Sequence, residues 1–441
     1  MNTDSIMTEI STLGEAKILT PVQKRTDGTE DISFVSDESR VIIEVDAQRV
    51  SQMVKKSLPM PSFELAGPRR HIFFDPSKLK CALVTCGGLC PGLNDIIRSI
   101  VLELHYAYGV SNIFGIRYGL QGFIAGYGHD LINLTCDYVV NIHDRGGTVL
   151  GSSRGPQDID EIVDSMERMN IGLLFMIGGD GTLTAASRIT ERIAERGLKI
   201  GVVGVPKTID NDIYMVSRSF GFDTAVDVAT SAIISASNEA EGYPNGIGLI
   251  KLMGRHSGFI AATAVLAQQD VNFVLIPEID FDLEGPNGLL SALEKRLADR
   301  KHAVIVVAEG AGQKFFESKK NERDASGNIK LKDIGIYLKE AIGAYFAGKG
   351  IDISIKYIDP SYMIRSLPAN ANDRVFCNFL GRNSVHAGLS GRTDVLIGHW
   401  NNQFVHVPMK LIADKRKKVN PRGSLWRSTL EATGQGSLKN N

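Results

Sequence analysis

The chain has 441 residues, of which 43% are hydrophobic and 22% charged, a balance that excludes a disordered or collagen-like protein and leaves room for two lobes, each with its own core. Its formal net charge of -1 gives no global attraction to nucleic acid or membrane, so any phosphate binding must come from individually placed Arg, Lys and backbone amides. Cys81, Cys86, Cys90, Cys136 and Cys377 show neither a CxxC pair nor zinc spacing and read as reduced thiols. The first residues lack a secretory pattern, and no apolar run approaches the roughly 18 residues needed to span a bilayer, so the cytoplasm is the expected location.

In chain order, residues 1–75 are polar and without sustained period, and read as an extension packed over the outside. From Lys80 the pattern changes to short apolar runs, each closed by glycine or proline and followed by a helix-period segment: CALVTCGG, LLFMIGGDGT, IGVVGVPKT, NFVLIPE and HAVIVVAEG. Such runs predict strands buried on both faces. Between them, Asp158 is placed to N-cap a helix with Ile159, Ile162, Val163, Met166 and Met169 on one stripe. A second helix runs from Leu183 through Ala186, Ile189 and Ile193 to a stop at Gly197. Repeated strand, glycine turn and helix predict an α/β fold with mainly parallel sheets, whose ligands sit at the carboxyl ends of the strands. Near the end, the basic run Lys415–Lys418 reads as a solvated face.

The glycine turns carry the chemistry. In Met176–Thr182 a buried strand ends and a helix begins, so free amides and the positive helix end can receive phosphate oxygens, and Gly178, Gly179 and Gly181 let backbone approach closely. A carboxylate aimed at phosphate repels it unless a cation lies between, so Asp180 reads as an Mg²⁺ contact; a tight turn with an N-capping aspartate would use the same residues. The turn Thr85–Asn94 supplies further amides, and its glycines do not fit GxGxxG, which counts against a dinucleotide site. Gly343–Lys349 resembles a P-loop but has Gly350 where Ser or Thr should touch the metal, and is set aside. Pro206–Asp212 places two carboxylates two residues apart behind a threonine and a lysine, which suits phosphoryl transfer as well as an Asx-rich turn. Arg255 follows the run IGLIKL at a strand end, where a guanidinium can grip phosphate, and Lys356, Tyr362 and Arg365 add a second basic segment.

Taken together, TCGGLCPGLND, GGTVLGSSRGP, IGGDGT, PKTIDND, MGRHSGF, AEGAGQ and KYIDPSYMIRS stand in the order found in the phosphofructokinases. From about Lys80 to Gly398 the chain resembles that family, and within it the long ATP-dependent form of plants and trypanosomatids. The resemblance implies two lobes, each a mainly parallel sheet flanked by helices: a nucleotide lobe over 76–221 with a return segment near 360–400, and a sugar-phosphate lobe over 222–359. Residues 1–75 and 400–441 would be extensions. It implies nucleotide contacts at Gly87, Arg154, Gly155, Gly179, Gly181 and Thr182, with Mg²⁺ at Asp180. Asp210 would be the base for the 1-hydroxyl of fructose 6-phosphate, with Thr208, Asp212 and Arg255 in support. Met253, Gly254, Arg255 and Glu309 would hold the sugar, and Lys356, Tyr362 and Arg365 its 6-phosphate, partly across subunits of a homo-oligomer, usually a tetramer.

Two positions bear on the donor: pyrophosphate-using relatives carry aspartate in place of Gly181 and pair it with a lysine at the position of Lys207. Gly181 favours ATP, with a pyrophosphate-dependent enzyme as the alternative. A lipid or NAD kinase shares GGDGT but has no need of PKTIDND. Asn245–Gly246 stands where short bacterial members place an intersubunit arginine, so their allosteric wiring is not carried over.

Overall fold

The apolar runs form strands because they are short, rich in β-branched residues and bounded by glycine; in Leu173–Gly178 and Gly201–Pro206 every residue is buried. The computed structural model describes residues 7–22, 34–316, 322, 329–413 and 415–440. The chain divides into two compact units. The first comprises Met1–Thr208, Ile213–Gly221 and Leu367–Arg416, and the second Ile209–Asp212, Phe222–Ser366 and Lys417–Asn441.

The first unit is built on a nine-stranded sheet. Its centre is parallel, in the order Asn112–Ile116, Lys80–Thr85, Leu173–Gly178, Gly201–Pro206 and Val395–Trp400. Antiparallel strands flank it: Ile132–Asn133 on one side, and Gln403–Pro408, Ser62–Leu65 and Arg40–Ile42 on the other. The N-terminal extension therefore does more than cover the outside, since it supplies the last two strands and fully buries Phe63. The helix Ile159–Arg168 begins at Asp158, whose side chain accepts from the Glu161 N–H, as its sequence predicts. Ile162, Val163 and Met166 pack with Leu183, Ala186, Ile189 and Ile193 of the helix Asp180–Glu195 in one core.

A buried charge cluster ties the extension to this sheet. Glu64 accepts from Arg69 at 2.8 Å and is paired with Arg392, and all three side chains are at most 10% exposed. Burial alone would push the Glu64 carboxyl up, but neighbouring His406 and the Arg392 guanidinium outweigh it and hold the group well below the usual carboxylate range. Its stabilising contribution is present above the ordinary glutamate value and lost as pH falls through the depressed one. Glu64→Gln removes the buried counter-charge of two guanidiniums that keep Asp37, at 2.9 Å from Arg69 and 2.6 Å from Arg392, and is expected to cost about 1–3 kcal/mol. The midpoint of chemical unfolding, compared with wild type at pH 7, checks this.

The second unit holds a four-stranded parallel sheet in the order Phe273–Leu275, His302–Ala308, Gly246–Leu252 and Ser354–Ile358. Ile247, Leu249, Ile305 and Val307 pack against Leu338, Ile342 and Phe346 of the helix Ile334–Gly348. The edge strand is covered by Gln435, whose amide accepts from the Val274 N–H at 2.7 Å and donates to its carbonyl at 3.3 Å. All five cysteines are free thiols. No helix among the described residues is long and apolar enough to cross a membrane.

Candidate active site

In the first unit, strand register decides which turns meet. Thr85 pairs with Ile177 and Pro206 with Gly178, so three adjacent parallel strands end at one level and release the Thr85, Gly178 and Lys207 turns side by side. The helix after Gly178 starts at Asp180, with Gly179 as an N-cap that makes no side-chain hydrogen bond to the first turn, so the positive helix end faces the strand termini uncapped. Gly87 has φ +83; its N–H donates to the Ser153 carbonyl at 3.2 Å, and the Ser152 hydroxyl donates to the Gly87 carbonyl at 2.6 Å. These bonds bind the first glycine turn to the loop carrying Arg154 and Gly155. The exposed Arg154 guanidinium lies 3.7 Å from where a Cβ on Gly88 would sit. Lys207 is buried and its ammonium donates to the Gly88 carbonyl at 2.8 Å, and the Thr208 carbonyl accepts from Ser219 at 2.6 Å.

Thr182 is buried at the start of the helix, its N–H donating to the Gly179 carbonyl at 2.9 Å. A Cβ on Gly181 would meet nothing within 4 Å. The Asp180 carboxylate pairs with Arg416 at 3.2 Å. Among the described residues no group of three or more His, Cys, Asp or Glu side chains is arranged to hold a metal ion. One carboxylate at a helix N-terminus fits Mg²⁺ that would arrive with a polyphosphate and keep phosphate and water ligands; it does not fit a resident ion. The P-loop lookalike Gly343–Lys349 falls within and at the end of the helix Ile334–Gly348, where no amides are free to cradle phosphate.

In the second unit, Leu252 pairs with Ala308 and Ile250 with Ile358, so the turns carrying Arg255 and Glu309 and the segment after Ile358 also leave their sheet together. Gly254 takes φ +126, and a Cβ on Gly310 would lie 2.0 Å from the Arg255 carbonyl, so only glycine allows these two turns to nest. Asp210 accepts from the Arg255 N–H at 3.3 Å, and the Asp210 carbonyl accepts from the Ser257 hydroxyl at 3.3 Å. Burial, then the charges of Asp212 and Glu309, push the Asp210 carboxyl up to about 7, against the Arg255 N–H and the Arg365 charge. Arg365 donates to the Met253 sulfur at 3.1 Å, and the Arg255 guanidinium donates to the Ile329 carbonyl.

Asp210, Asp212, Met253, Gly254, Arg255, Glu309 and Arg365 are thus drawn to one end of this unit's sheet. Lys356 instead lies over the Tyr243 ring, 3.9 Å from Glu239, and Tyr362 is 80% exposed. Sequence reasoning missed Arg416 and Lys417. The run that reads as a solvated face places Arg416 on Asp180, while the Lys417 ammonium reaches the Asn211 side chain at 3.1 Å. Nothing local in four consecutive basic residues points to either partner.

Glycine turns and an uncapped helix N-terminus in the first unit, and in the second a buried carboxyl pushed up by burial, Asp212 and Glu309, are features of an α/β phosphotransferase. The phosphofructokinase family model matches residues 80–387, and the chain belongs to that family. It is 54% identical to the ATP-dependent 6-phosphofructokinase of Borreliella burgdorferi, over 86% of each chain. It is 44% identical to the enzyme of the same description from Trypanosoma cruzi, over 84% of this chain and 76% of that one. The solved pyrophosphate-dependent phosphofructokinase of Marinobacter aquaeolei superposes with a TM-score of 0.66, covering 81% of this chain and 92% of that chain at 20% identity. The Saccharomyces cerevisiae phosphofructokinase gives 0.63, covering 80% of this chain and 50% of that one at 22% identity. These two likenesses speak for the fold.

Proposed function

We infer that this chain transfers the γ-phosphate of ATP to the 1-hydroxyl of fructose 6-phosphate, giving fructose 1,6-bisphosphate and ADP. The observation that carries the chemistry is Asp210, a buried carboxyl raised toward neutral pH in the turn after the Gly201–Pro206 strand. A base works best with a pKa near the working pH. Asp210 takes the hydroxyl proton as the sugar oxygen forms its bond to phosphorus and the bond to the ADP oxygen breaks. The Arg255 N–H orients the carboxylate, Arg255 and Thr208 stabilise charge on the transferred group, and Asp212 supports the turn.

The first unit takes the nucleotide at the turns that carry Gly87, Gly179, Gly181 and Thr182, and at Arg154 and Gly155. Asp180 receives the Mg²⁺ that accompanies ATP, which neutralises phosphate charge when bound. Arg416, paired with Asp180 at 3.2 Å, stands beside that carboxylate and would add positive charge next to the phosphates. The second unit takes the sugar phosphate through Met253, Gly254, Arg255, Glu309 and Arg365. Lys356 and Tyr362 reach the 6-phosphate in a homo-oligomer, which we propose to be a tetramer working in the cytoplasm. Gly181 and Lys207 set the donor: open space at Gly181 favours a nucleotide. A coupled assay with ATP in one arm and pyrophosphate in the other tests the reading. Product with ATP alone supports it, product with pyrophosphate alone overturns the donor, and no product with either overturns the reaction.

Arg365→Ala removes a charge-assisted contact made to the sugar phosphate both before and during transfer. It is expected to raise the KM for fructose 6-phosphate by about 10- to 100-fold with kcat changed far less, since hydrogen bonds to charged groups contribute roughly 1.5–3 kcal/mol. Initial rates against sugar phosphate at saturating ATP separate the two constants.

A further inference from the structure

Asn211, between the two aspartates, has φ +54, the left-handed conformation that asparagine adopts more readily than other residues with a side chain. The turn is also gripped from 206 positions downstream: the Lys417 ammonium donates to the Asn211 side-chain oxygen at 3.1 Å. The Lys417 backbone N–H donates to the Asp212 carbonyl at 2.8 Å, so side chain and main chain of one residue grip consecutive residues of the turn. The ammonium lies over the Phe259 ring, 5.0 Å from its centroid, and so touches the first residue of the helix behind the Arg255 turn. The next step of chain is also anchored, because the Val419 N–H donates to Glu278 at 2.8 Å, the carboxylate that also caps Gly258.

We propose that Lys417 is a positioning residue for phosphoryl transfer: it grips the Asp210–Asp212 turn through Asn211 and the Asp212 carbonyl and sets a positive charge beside Asp212. The inference rests on the reaction inferred above and adds to it a residue outside every glycine turn. Asp210 faces Asp212, Glu309, the Arg255 N–H and Arg365, while Lys417 faces Asp212. Burial pulls the Lys417 ammonium down to about 8, so a charged lysine is kept there against a cost in stability. A residue retained for packing alone would not need that charge.

Lys417→Met, which keeps the length of the side chain and removes the charge, is compared with wild type and with Lys417→Arg. The expected result for Lys417→Met is a fall in kcat of about 10- to 100-fold, as a small displacement of reacting groups produces, with both KM values little changed. The acid limb of the kcat/KM profile should move to higher pH, because the turn loses a positive charge beside Asp212, and Lys417→Arg should restore part of both. Hydrogen exchange of peptides covering 207–213 should quicken while the melting temperature does not fall.

A kcat equal to wild type would overturn the proposal. So would a loss of kcat that comes with a lower melting temperature and leaves the pH profile and the exchange of the turn unmoved, since that is the pattern of a structural lysine. If wild type makes no product with ATP or pyrophosphate, the reaction is wrong, and hydrogen exchange alone decides whether Lys417 holds the turn.

Discussion

Asp210→Asn lowers turnover with ATP and fructose 6-phosphate by about 10²- to 10⁴-fold while the affinity for nucleotide changes little, because a general base acts mainly in the transition state. Asparagine keeps the shape of the side chain and can still meet the Arg255 N–H, but it cannot take a proton. The pH dependence of the wild type follows from the same group. Burial and the nearby Asp212 and Glu309 raise its pKa to about 7 in the ligand-free protein, so the competent carboxylate is lost as pH falls through that value and kcat/KM falls with it. The linkage with folding has the opposite sense. A carboxyl that holds its proton more tightly folded than unfolded makes the fold less stable as pH rises from the ordinary aspartate value of 3.8 toward 7. At neutral pH ionised Asp210 is therefore a burden on the fold, and Asp210→Asn should melt no lower than wild type. Turnover by coupled assay and melting temperature, taken on one preparation, check both halves. A variant that turns over at the wild-type rate would pass the base to Asp212.

Gly181→Asp is expected to lower kcat/KM for ATP by about 100-fold or more and to leave the fold intact. A Cβ at Gly181 meets nothing within 4 Å, and the position lies one residue into the helix Asp180–Glu195. There an aspartate favours the positive helix end by about 0.3–1 kcal/mol and replaces a poor helix former. Nothing in the chain itself therefore resists the substitution. Its harm falls on the ligand, since a second carboxylate beside Asp180 sets like charge against the nucleotide phosphates, a juxtaposition that costs several kcal/mol. Steady-state rates against ATP, paired with a melting curve, separate these effects. Unaltered ATP kinetics would remove Gly181 from the donor site, and a collapsed melting temperature would show that the glycine serves the fold.

Much of this was legible in the residues. The strands Leu173–Gly178 and Gly201–Pro206 were read from unbroken apolar runs closed by glycine or proline, and the helix after Asp158 from its cap and stripe. The phosphate-suited turns follow because a glycine turn between a buried strand and a helix has free amides whatever the rest of the fold does. Less was legible where contact depends on register between strands or on distant chain. Lys356 and Arg365 stand in one short segment, yet Arg365 meets Met253 whereas Lys356 meets Glu239 and Tyr243, because strand and helix turn them different ways. The extension's strands at Arg40–Ile42 and Ser62–Leu65 escaped notice because short antiparallel edge strands carry little periodicity.

By itself the sequence determined the class of fold, the glycine turns at the strand ends, and the pair Asp210 and Asp212 in one turn, since these depend on period, on glycine and on neighbours within a few residues. Only the tertiary structure decided that Asp210 is buried, with its carboxyl pushed up by burial, Asp212 and Glu309, that Arg416 meets Asp180, and that Lys417 meets the left-handed Asn211. The reason is physical: a pKa and an ion pair are set by burial and by charges brought close through folding, and residues some 200 positions apart carry no local trace of each other.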